Sequence, residues 1–478
     1  MKMLIGAAVV ALAAGVAQAQ DAQVALDRID RDAARNAETA KAIWTYAEVG
    51  YQETKSSALL RKQLRDAGFR IESGVAGIPT AFTATWGSGG PVIAMLGEFD
   101  ALPGINQSDA PTRDPVPGKS AGHACGHHLF GVASASAAIA VKDWLQKSGG
   151  KGTIRFYGTP AEEGGAGKVY MVRDGLFKDV DIALHWHPGS ENSADIETSN
   201  ANKSGKFRFK GVSAHAAGAP ERGRSALDGV EAMNVMANMM REHIPQESRL
   251  HYVITSGGSA PNVVPDFAEV FYYVRHPNPD VVRDTFERLV KIAERAALGT
   301  GTTMQYEVIH GANSLLPNRH LQNIVHANLT KVGGIDYTPA ETSFAAKLLP
   351  TLSTKATVAD AAKIDPLSEN HGYGSTDVGD VSYTVPTAGF STATWVPGTP
   401  SHSWQAVAAG GTSIGMKGMQ NAAKVLALTA IKLLQNPEHI AAAKTEFDQR
   451  RGPGFVYRSL VGDRKPPLDY RVNKPAGE

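Results

Sequence analysis

The stretch FGVASASAAIAVKDWLQKSG (130–149), followed by GTIRFYGTP (152–160), AGKVYMVRDGLF (166–177) and VDIALHWHP (180–188), decides the fold. The first and third segments carry apolar residues at helical spacing, whereas the second and fourth are short apolar runs typical of buried strands. Strands that alternate with helices predict an α/β fold, with a parallel or mixed sheet and helices on both faces. Ligands of such sheets gather at the carboxyl ends of the strands.

A second pattern begins near residue 203. Between 206 and 310 the apolar spacing predicts the order β-α-β-β-α-β, which is the ferredoxin-like unit and would form an inserted α+β domain. We therefore predict a discontinuous metal-binding catalytic domain, an inserted dimerisation or lid domain, and a surface tail. Their expected bounds are 20–202 with 312–460, 203–311, and 461–478.

Composition excludes some classes of protein. The 478 residues are 42% hydrophobic and 20% charged, with a formal net charge of +1. Basic and acidic residues are spread along the chain, which argues against nucleic acid as a partner. One cysteine means that no internal disulfide can form.

The N-terminus reads as a secretory signal peptide. Met1-Lys2 leads into the apolar run MLIGAAVVALAAGVA, and a small-x-small site, Ala17-Gln18-Ala19, follows it. We expect cleavage before Gln20 and export, to the periplasm if the host has an outer membrane. No membrane association is expected after cleavage.

HACGHHLFG (123–131) holds the only cysteine of the chain. Cys125 and His127 flank one glycine, so in a turning segment both side chains can point at one ion. Thiolate with imidazole favours zinc among the common metals. Two other interpretations stay open from these residues: a buried free cysteine beside histidines, and a cysteine nucleophile with a histidine base.

Further ligand-type residues follow three later strands. Glu162 and Glu163 stand between an apolar strand and a glycine turn, where one carboxylate could bind metal while the other handles a proton. His185 and His187 end the next strand, and His402 lies in a loop after the last one. Together, four such sites on one sheet indicate a metal centre.

These residues belong to a longer set of motifs that resembles the di-zinc amidohydrolases and metallopeptidases, among them aminoacylases, carboxypeptidase-G-type enzymes, hippurate hydrolases and auxin-conjugate hydrolases. The branch formed by one of the subunits of aminobenzoyl-glutamate hydrolase is the most similar. The resemblance spans roughly Ala25 to Pro437, in matching order. The motifs are GEFDALPG, HACGHHLFG, TPAEEGGAG, VDIALHWHP, GVSAHAAGAPERGRSALDG, SGGSAPNVVPD, GSTDVGDVS and TPSHSW.

The resemblance implies two divalent metal ions, with zinc favoured and manganese as the alternative. The strand ligand is His187 if one counts from Val180-Asp181, and His185 if one counts from the relatives' LH. The implied ligands are Cys125, His127, Glu163, His187 and His402.

The resemblance also implies the catalytic residues. Glu162 matches the general base that takes a proton from the attacking water, and Asp100 matches a carboxylate that orients the metal centre. His215 matches a histidine that reaches the active site of a partner subunit to stabilise the oxyanion. Asn262 and Arg275 match positions that grasp the substrate.

The function implied is hydrolysis of the amide bond of N-acyl amino acids such as aminobenzoyl-glutamate, substrates with a free carboxylate. The expected assembly is a homodimer, with a related second subunit as an open question. The alternatives are a metal-dependent dipeptidase or carboxypeptidase, and an exported binding protein without catalysis. Glu98 and His128 depart from the residues of other branches, so their roles stay open.

Overall fold

The computed structural model describes residues 22–472. The predicted signal peptide and the end of the predicted tail, 473–478, lie outside the described residues. Over the described range, no helix is both long and apolar enough to cross a membrane.

Two sheets organise the chain. The larger has six strands in the order β1-β2-β6-β3-β7-β15, and the smaller has four in the order β11-β12-β10-β13. The strands are β1 Arg70–Ser73, β2 Phe82–Ser88, β3 Val92–Gly97, β4 Leu102–Pro103, β5 Ala121–Gly122, β6 Gly152–Gly158, β7 Ile182–Leu184, β8 His187–Gly189, β9 Ile196–Thr198, β10 Ala201–Lys210, β11 Arg249–Ser256, β12 Phe267–His276, β13 Thr303–Ala312, β14 Glu369–His371, β15 Thr387–Ala388 and β16 Ser391–Ala393.

Helices cover these sheets. They are α1 Ala33–Tyr46, α2 Thr54–Asp66, α3 His127–Ser148, α4 Gly167–Arg173, α5 Ala226–Met240, α6 Pro279–Thr300, α7 Arg319–Val332, α8 Pro339–Leu348, α9 Val378–Ser382, α10 Trp404–Gly410, α11 Ser413–Gln435 and α12 Pro437–Arg451. A further helical segment occupies 22–31.

The six-stranded sheet is mixed, as the alternation of strands and helices predicted. Strands β6, β3, β7 and β15 are parallel, and β2 and β1 add an antiparallel edge beside β6. Helix α3, buried along most of its length, contacts β3, β6, α1 and α11. The alanines of α3 allow this close approach because they add little volume at the contacts.

The four-stranded sheet belongs to an inserted α+β domain. Its strands are all antiparallel, and the chain order β10-α5-β11-β12-α6-β13 is the β-α-β-β-α-β unit expected from the sequence. Its hydrophobic core is separate from the main core. On β12, Val270, Tyr272 and Val274 are buried, whereas the alternate residues Phe271 and Tyr273 are half-buried on the opposite face.

The C-terminal segment 453–472, here called the strap, is not a surface tail. Leu460 and Val461 are 1% and 3% exposed, and they pack into the inserted core and the main core respectively. The strap therefore joins the two domains. The expectation of a surface tail from residue 461 was wrong for the described part, because the strap is short of regular structure yet contributes buried side chains to both cores.

Gly158, at the end of β6, should not tolerate a side chain. A Cβ there would lie 2.1 Å from the ring of Phe82, which is fully buried. We expect Gly158→Ala to lower the free energy of unfolding by about 1–3 kcal/mol in a urea titration, because the core must shift. In contrast, Gly299→Ala in α6 meets nothing within 4 Å and should raise it by up to about 1 kcal/mol. Equal effects of the two substitutions would contradict the packing argument.

Candidate metal centre

The candidate metal centre lies where the parallel strands of the main sheet end. Residues that follow β3 and β6, and residues that begin α3 and β8, meet there because neighbouring parallel strands end at one edge. A loop that precedes α10 completes the site. The side chains brought together are Glu98, Asp100, Cys125, His127, Glu162, Glu163, His187 and His402.

Gly126 sets the direction of the cysteine and the first histidine. It has φ 75° in the left-handed region, and a Cβ on it would lie 2.5 Å from Pro188. The turn places Cys125 Sγ 3.5 Å from His187 Nε2. His127 is the first residue of α3, so its side chain is fixed by a buried helix.

The potential ligand atoms form three overlapping groups, and within each group all atoms lie within 4.8 Å of one another. Two of them share the Cys125 sulfur. Thiolate, imidazole and carboxylate are a donor set that suits zinc. The groups are Cys125 with His127 and His187, Cys125 with Glu163 and His402, and Glu98 with His127 and Glu162.

Unsatisfied atoms at the site fit a cation. His127 Nδ1 lies 2.9 Å from Asp100 Oδ1, and the carboxylate can only accept, so Nδ1 carries a proton. His127 Nε2 then faces Glu98 Oε2 at 2.9 Å, and neither atom has a hydrogen-bond partner. Glu163 Oε1 is likewise buried without one. Buried acceptors of this kind are rare, and a divalent cation would satisfy them.

Asp100 links two parts of the site. Its Oδ1 orients His127, and its Oδ2 accepts from the backbone N–H of Glu163 at 3.0 Å. Although burial raises the pKa of Asp100, the contact with His127 lowers it below its ordinary value. A carboxylate that fixes a ligating imidazole is a common outer partner in metal sites.

Carboxylates crowd the centre. Burial, together with Glu98 and Glu163, raises the pKa of Glu162 well above its ordinary value. The pKa of His127 is raised too: burial lowers it, but Glu98 and its other anionic neighbours outweigh that effect. Without metal the site would thus hold extra protons, and cations bound there would replace them.

Of the two histidines in HWH, the geometry brings His187 and not His185 to the ligand groups. His185 instead borders a separate cavity of about 120 Å³, beside Asp195 and Glu197. Burial lowers the pKa of His185 to about 4, so it is neutral there. The preference for His187 rests on its approach to Cys125.

Sequence reasoning missed Lys168, which is fully buried in α4. Its ammonium lies 2.6 Å from Glu98 and 2.6 Å from Asp377. This pairing explains how Glu98, whose role was left open, can be ionised while 1% exposed. The signal available in the sequence was a lone lysine among apolar residues, in KVYMV directly after the glycine turn.

His128 is remote from the ligand atoms in function, although it follows His127. Its Nε2 donates to the carbonyl of Gly410, 2.9 Å away, and its ring packs against His123. Burial lowers the pKa of His128 well below its ordinary value. The second residue whose role was left open is therefore a neutral core histidine.

The remaining predicted residues lie in the inserted domain. His215 is exposed, and the hydrogen bonds of its ring join it to Ala217 and Gly218 of its own turn. Asn262 is exposed on the segment that pairs with this turn. Arg275 lies half-buried on β12, with its Nε lacking a partner. Within the part of the chain described, none of the three shares a ligand group with the metal centre.

Comparisons with known proteins agree with this arrangement. Residues 199–301 match the peptidase dimerisation domain of the M20 family. The chain is 41% identical to one of the p-aminobenzoyl-glutamate hydrolase subunits of Escherichia coli over 452 residues, covering 88% of this chain and 94% of that protein. It is 28% identical to the Xaa-Arg dipeptidase of Mus musculus over 439 residues, covering 88% and 91%.

Solved structures with the same fold include the aminobenzoyl-glutamate utilization protein of Klebsiella pneumoniae, with a TM-score of 0.61 at 17% identity, covering 85% of this chain and 97% of that one. Another is a dinuclear metal-binding peptidase of the M20 family from Bacillus subtilis, with a TM-score of 0.57 at 18% identity, covering 85% and 99%.

Removing the Lys168 charge should strongly destabilise the protein. Lys168→Met leaves two carboxylates buried without their cation, and breaking a buried pair in this way costs about 3–5 kcal/mol. The free energy of unfolding from urea titration of the metal-free protein measures the loss. Lys62→Met is the control, since its pair with Asp66 is mostly exposed and should cost less than about 1 kcal/mol. Similar losses in both variants would contradict the role given to Lys168.

Proposed function

The chain belongs to the M20 family of metallopeptidases and amidohydrolases, and we propose that it hydrolyses the amide bond of N-acyl amino acids, of which aminobenzoyl-glutamate is the first to test. The observation that carries this proposal is the pair of ligand groups that share Cys125, with the carboxylate of Glu162 beside them. The similarity to the Escherichia coli hydrolase, which covers 94% of that protein, supports the choice of substrate.

We assign Cys125, His127, Glu163, His187 and His402 as the ligands of two divalent ions, with zinc favoured by the donor set. Such ions polarise an amide carbonyl and lower the pKa of a water molecule toward neutrality.

The side chains of the protein supply the proton transfers and the alignment. Glu162 takes a proton from the attacking water and then delivers it to the departing amine. Asp100 holds the His127 ring and the Glu163 backbone together, so both ligands keep one relative orientation. Lys168 balances the charge of Glu98 beneath them.

His215 is proposed as the donor to the oxyanion in a partner subunit. Its Nδ1 accepts from the N–H groups of Ala217 and Gly218, at 3.2 and 3.0 Å, so a neutral ring carries its proton on Nε2. That N–H is a donor on an exposed turn. One donor to an oxyanion is worth about 3 kcal/mol of transition-state stabilisation.

A homodimer formed through the inserted domain would bring such a donor across. Strand β11 is an edge of its sheet, and Tyr252, Val253 and Ile254 on it are 38%, 55% and 40% exposed. Val235 and Met239 of α5 add exposed apolar surface. An apolar edge strand calls for a pairing partner.

A dipeptidase is the second candidate, favoured by the similarity to an Xaa-Arg dipeptidase over 91% of that protein. The same residues would act on either amide. Reaction through Cys125 as a nucleophile fits less well, because burial raises the pKa of its thiol well above the ordinary value.

The first test combines metal analysis with hydrolysis. We expect about two zinc ions per chain, and hydrolysis of aminobenzoyl-glutamate that is lost on chelation and restored by zinc. Glu162→Gln should keep its metal and lose about 10²–10⁴-fold in kcat. Glu72→Gln, an exposed glutamate of β1, is the control. Activity that survives complete removal of metal would overturn the proposal, and cleavage of dipeptides alone would favour the second candidate.

Complementation tests the role of His215. His215→Ala and Glu162→Gln homodimers should each be nearly inactive, because each lacks one function in both sites. Co-expressed chains should regain roughly a quarter of wild-type activity per chain, since half of the dimers are mixed and each mixed dimer has one intact site. Mixed dimers that stay inactive would show that His215 does not act across the interface.

A further inference from the structure

The loop 161–166, which carries Glu162 and Glu163, has an uncommon backbone conformation. Ala161 and Ala166 have φ values of 58° and 59°, in the left-handed region. A non-glycine residue there costs roughly 1–2 kcal/mol. Such a conformation persists only where surrounding groups impose it.

Hydrogen bonds from outside the loop hold its two ends. The N–H of Ala161 donates to Glu53 Oε1 at 2.9 Å, and the hydroxyl of Tyr51 donates to the carbonyl of Gly165 at 2.7 Å. Both partners come from the N-terminal part of the main domain. These contacts fix where the loop begins and ends, and leave the centre of the loop to other groups.

The strap holds the centre. The hydroxyl of Tyr470 donates to the carbonyl of Glu163 at 2.9 Å, and Arg471 Nη2 donates to the same oxygen at 2.7 Å. The Arg471 guanidinium lies 4.8 Å from the centre of the Tyr470 ring, and that ring packs edge-on against Tyr51. Glu163 is thus held from both sides, since its N–H donates to Asp100.

The strap is itself anchored before it reaches the loop. Arg173 donates to the carbonyls of Gly462 and Arg464, at 2.9 and 2.6 Å. Arg464 donates to the carbonyl of Ile309 on β13 of the inserted domain, at 2.6 Å. Gln52 donates to the carbonyl of Leu468 at 2.8 Å. Tyr470 and Arg471 therefore act from a fixed support.

We propose that Tyr470 and Arg471 are positioning residues of the metal centre, which hold the backbone of Glu163 and so aim its carboxylate at the metal. This inference rests on the proposed metal centre. Outer partners that orient a ligand typically change metal affinity or activity 10–100-fold when they are lost. The C-terminal strap is then a functional part of the site, although it contributes no ligand.

Zinc affinity of the purified full-length chain tests this directly. The protein is stripped with a chelator and titrated with zinc in competition with a chromogenic chelator. We expect Tyr470→Phe with Arg471→Met to weaken zinc binding about 10–100-fold, and Arg471→Lys to lie closer to wild type because a donor is retained. Tyr470→Phe alone, which keeps the ring, is the milder variant if the double one does not fold.

Matched controls separate positioning from general stability. Arg458→Met removes an exposed arginine of the same strap, and Tyr373→Phe removes a hydroxyl from a residue that is 77% exposed. Both should bind zinc as wild type does. If the positioning variants lower the melting temperature of the metal-free protein but bind zinc with wild-type affinity, the inference is overturned and the proposed function stands. A wild-type chain that binds no zinc would overturn both.

Discussion

Repulsion among buried carboxylates is the constraint on which the rest of the site depends. Parallel strands that end together bring acidic side chains into one small, largely buried space. A dry setting magnifies their repulsion, so counter-charges must be built in or bound. The protein supplies one permanent cation, Lys168, and leaves the remaining charge to protons or metal. The carboxylates concerned are Glu98, Asp100, Glu162, Glu163 and Asp377.

This view explains the division of labour within the site. Lys168 lies on the side away from the ligand atoms of Cys125, and pairs with Glu98 and Asp377 at hydrogen-bonding distance. Asp100 has no cationic side chain but spends its two oxygens on His127 and on a backbone N–H. The ligand atoms that remain without partners are therefore those that face the proposed metal ions. A buried anion without a counter-charge becomes, in this arrangement, a ligand.

Much of this was open to prediction from the sequence, because the informative features are local. Alternating apolar strands and helices predicted the mixed sheet, and the glycine between Cys125 and His127 predicted that both could face one ion. Contacts between distant segments were not predictable in the same way. Lys168 looks like an ordinary helix lysine until Asp377 is placed beside it, and the strap has no periodicity, so its buried Leu460 and Val461 could not be distinguished from a tail. His128 had the composition of a ligand, but the direction of a side chain at the start of α3 depends on the packing of α10 and Gly410 against it.

The site thus combines contributions with different requirements. Ligands on a buried sheet edge need only the main domain to be folded, whereas the loop that carries Glu162 and Glu163 also needs the strap, which in turn is fastened to β13 of the inserted domain. Since β13 and β11 lie at opposite edges of one four-stranded sheet, the edge proposed to pair with a partner is rigidly connected to the edge that supports the strap. Assembly at β11 and alignment of Glu163 are then two effects on a single sheet. A dimer interface placed there would stabilise the geometry of the ligand loop as well as bring His215 to the neighbouring site.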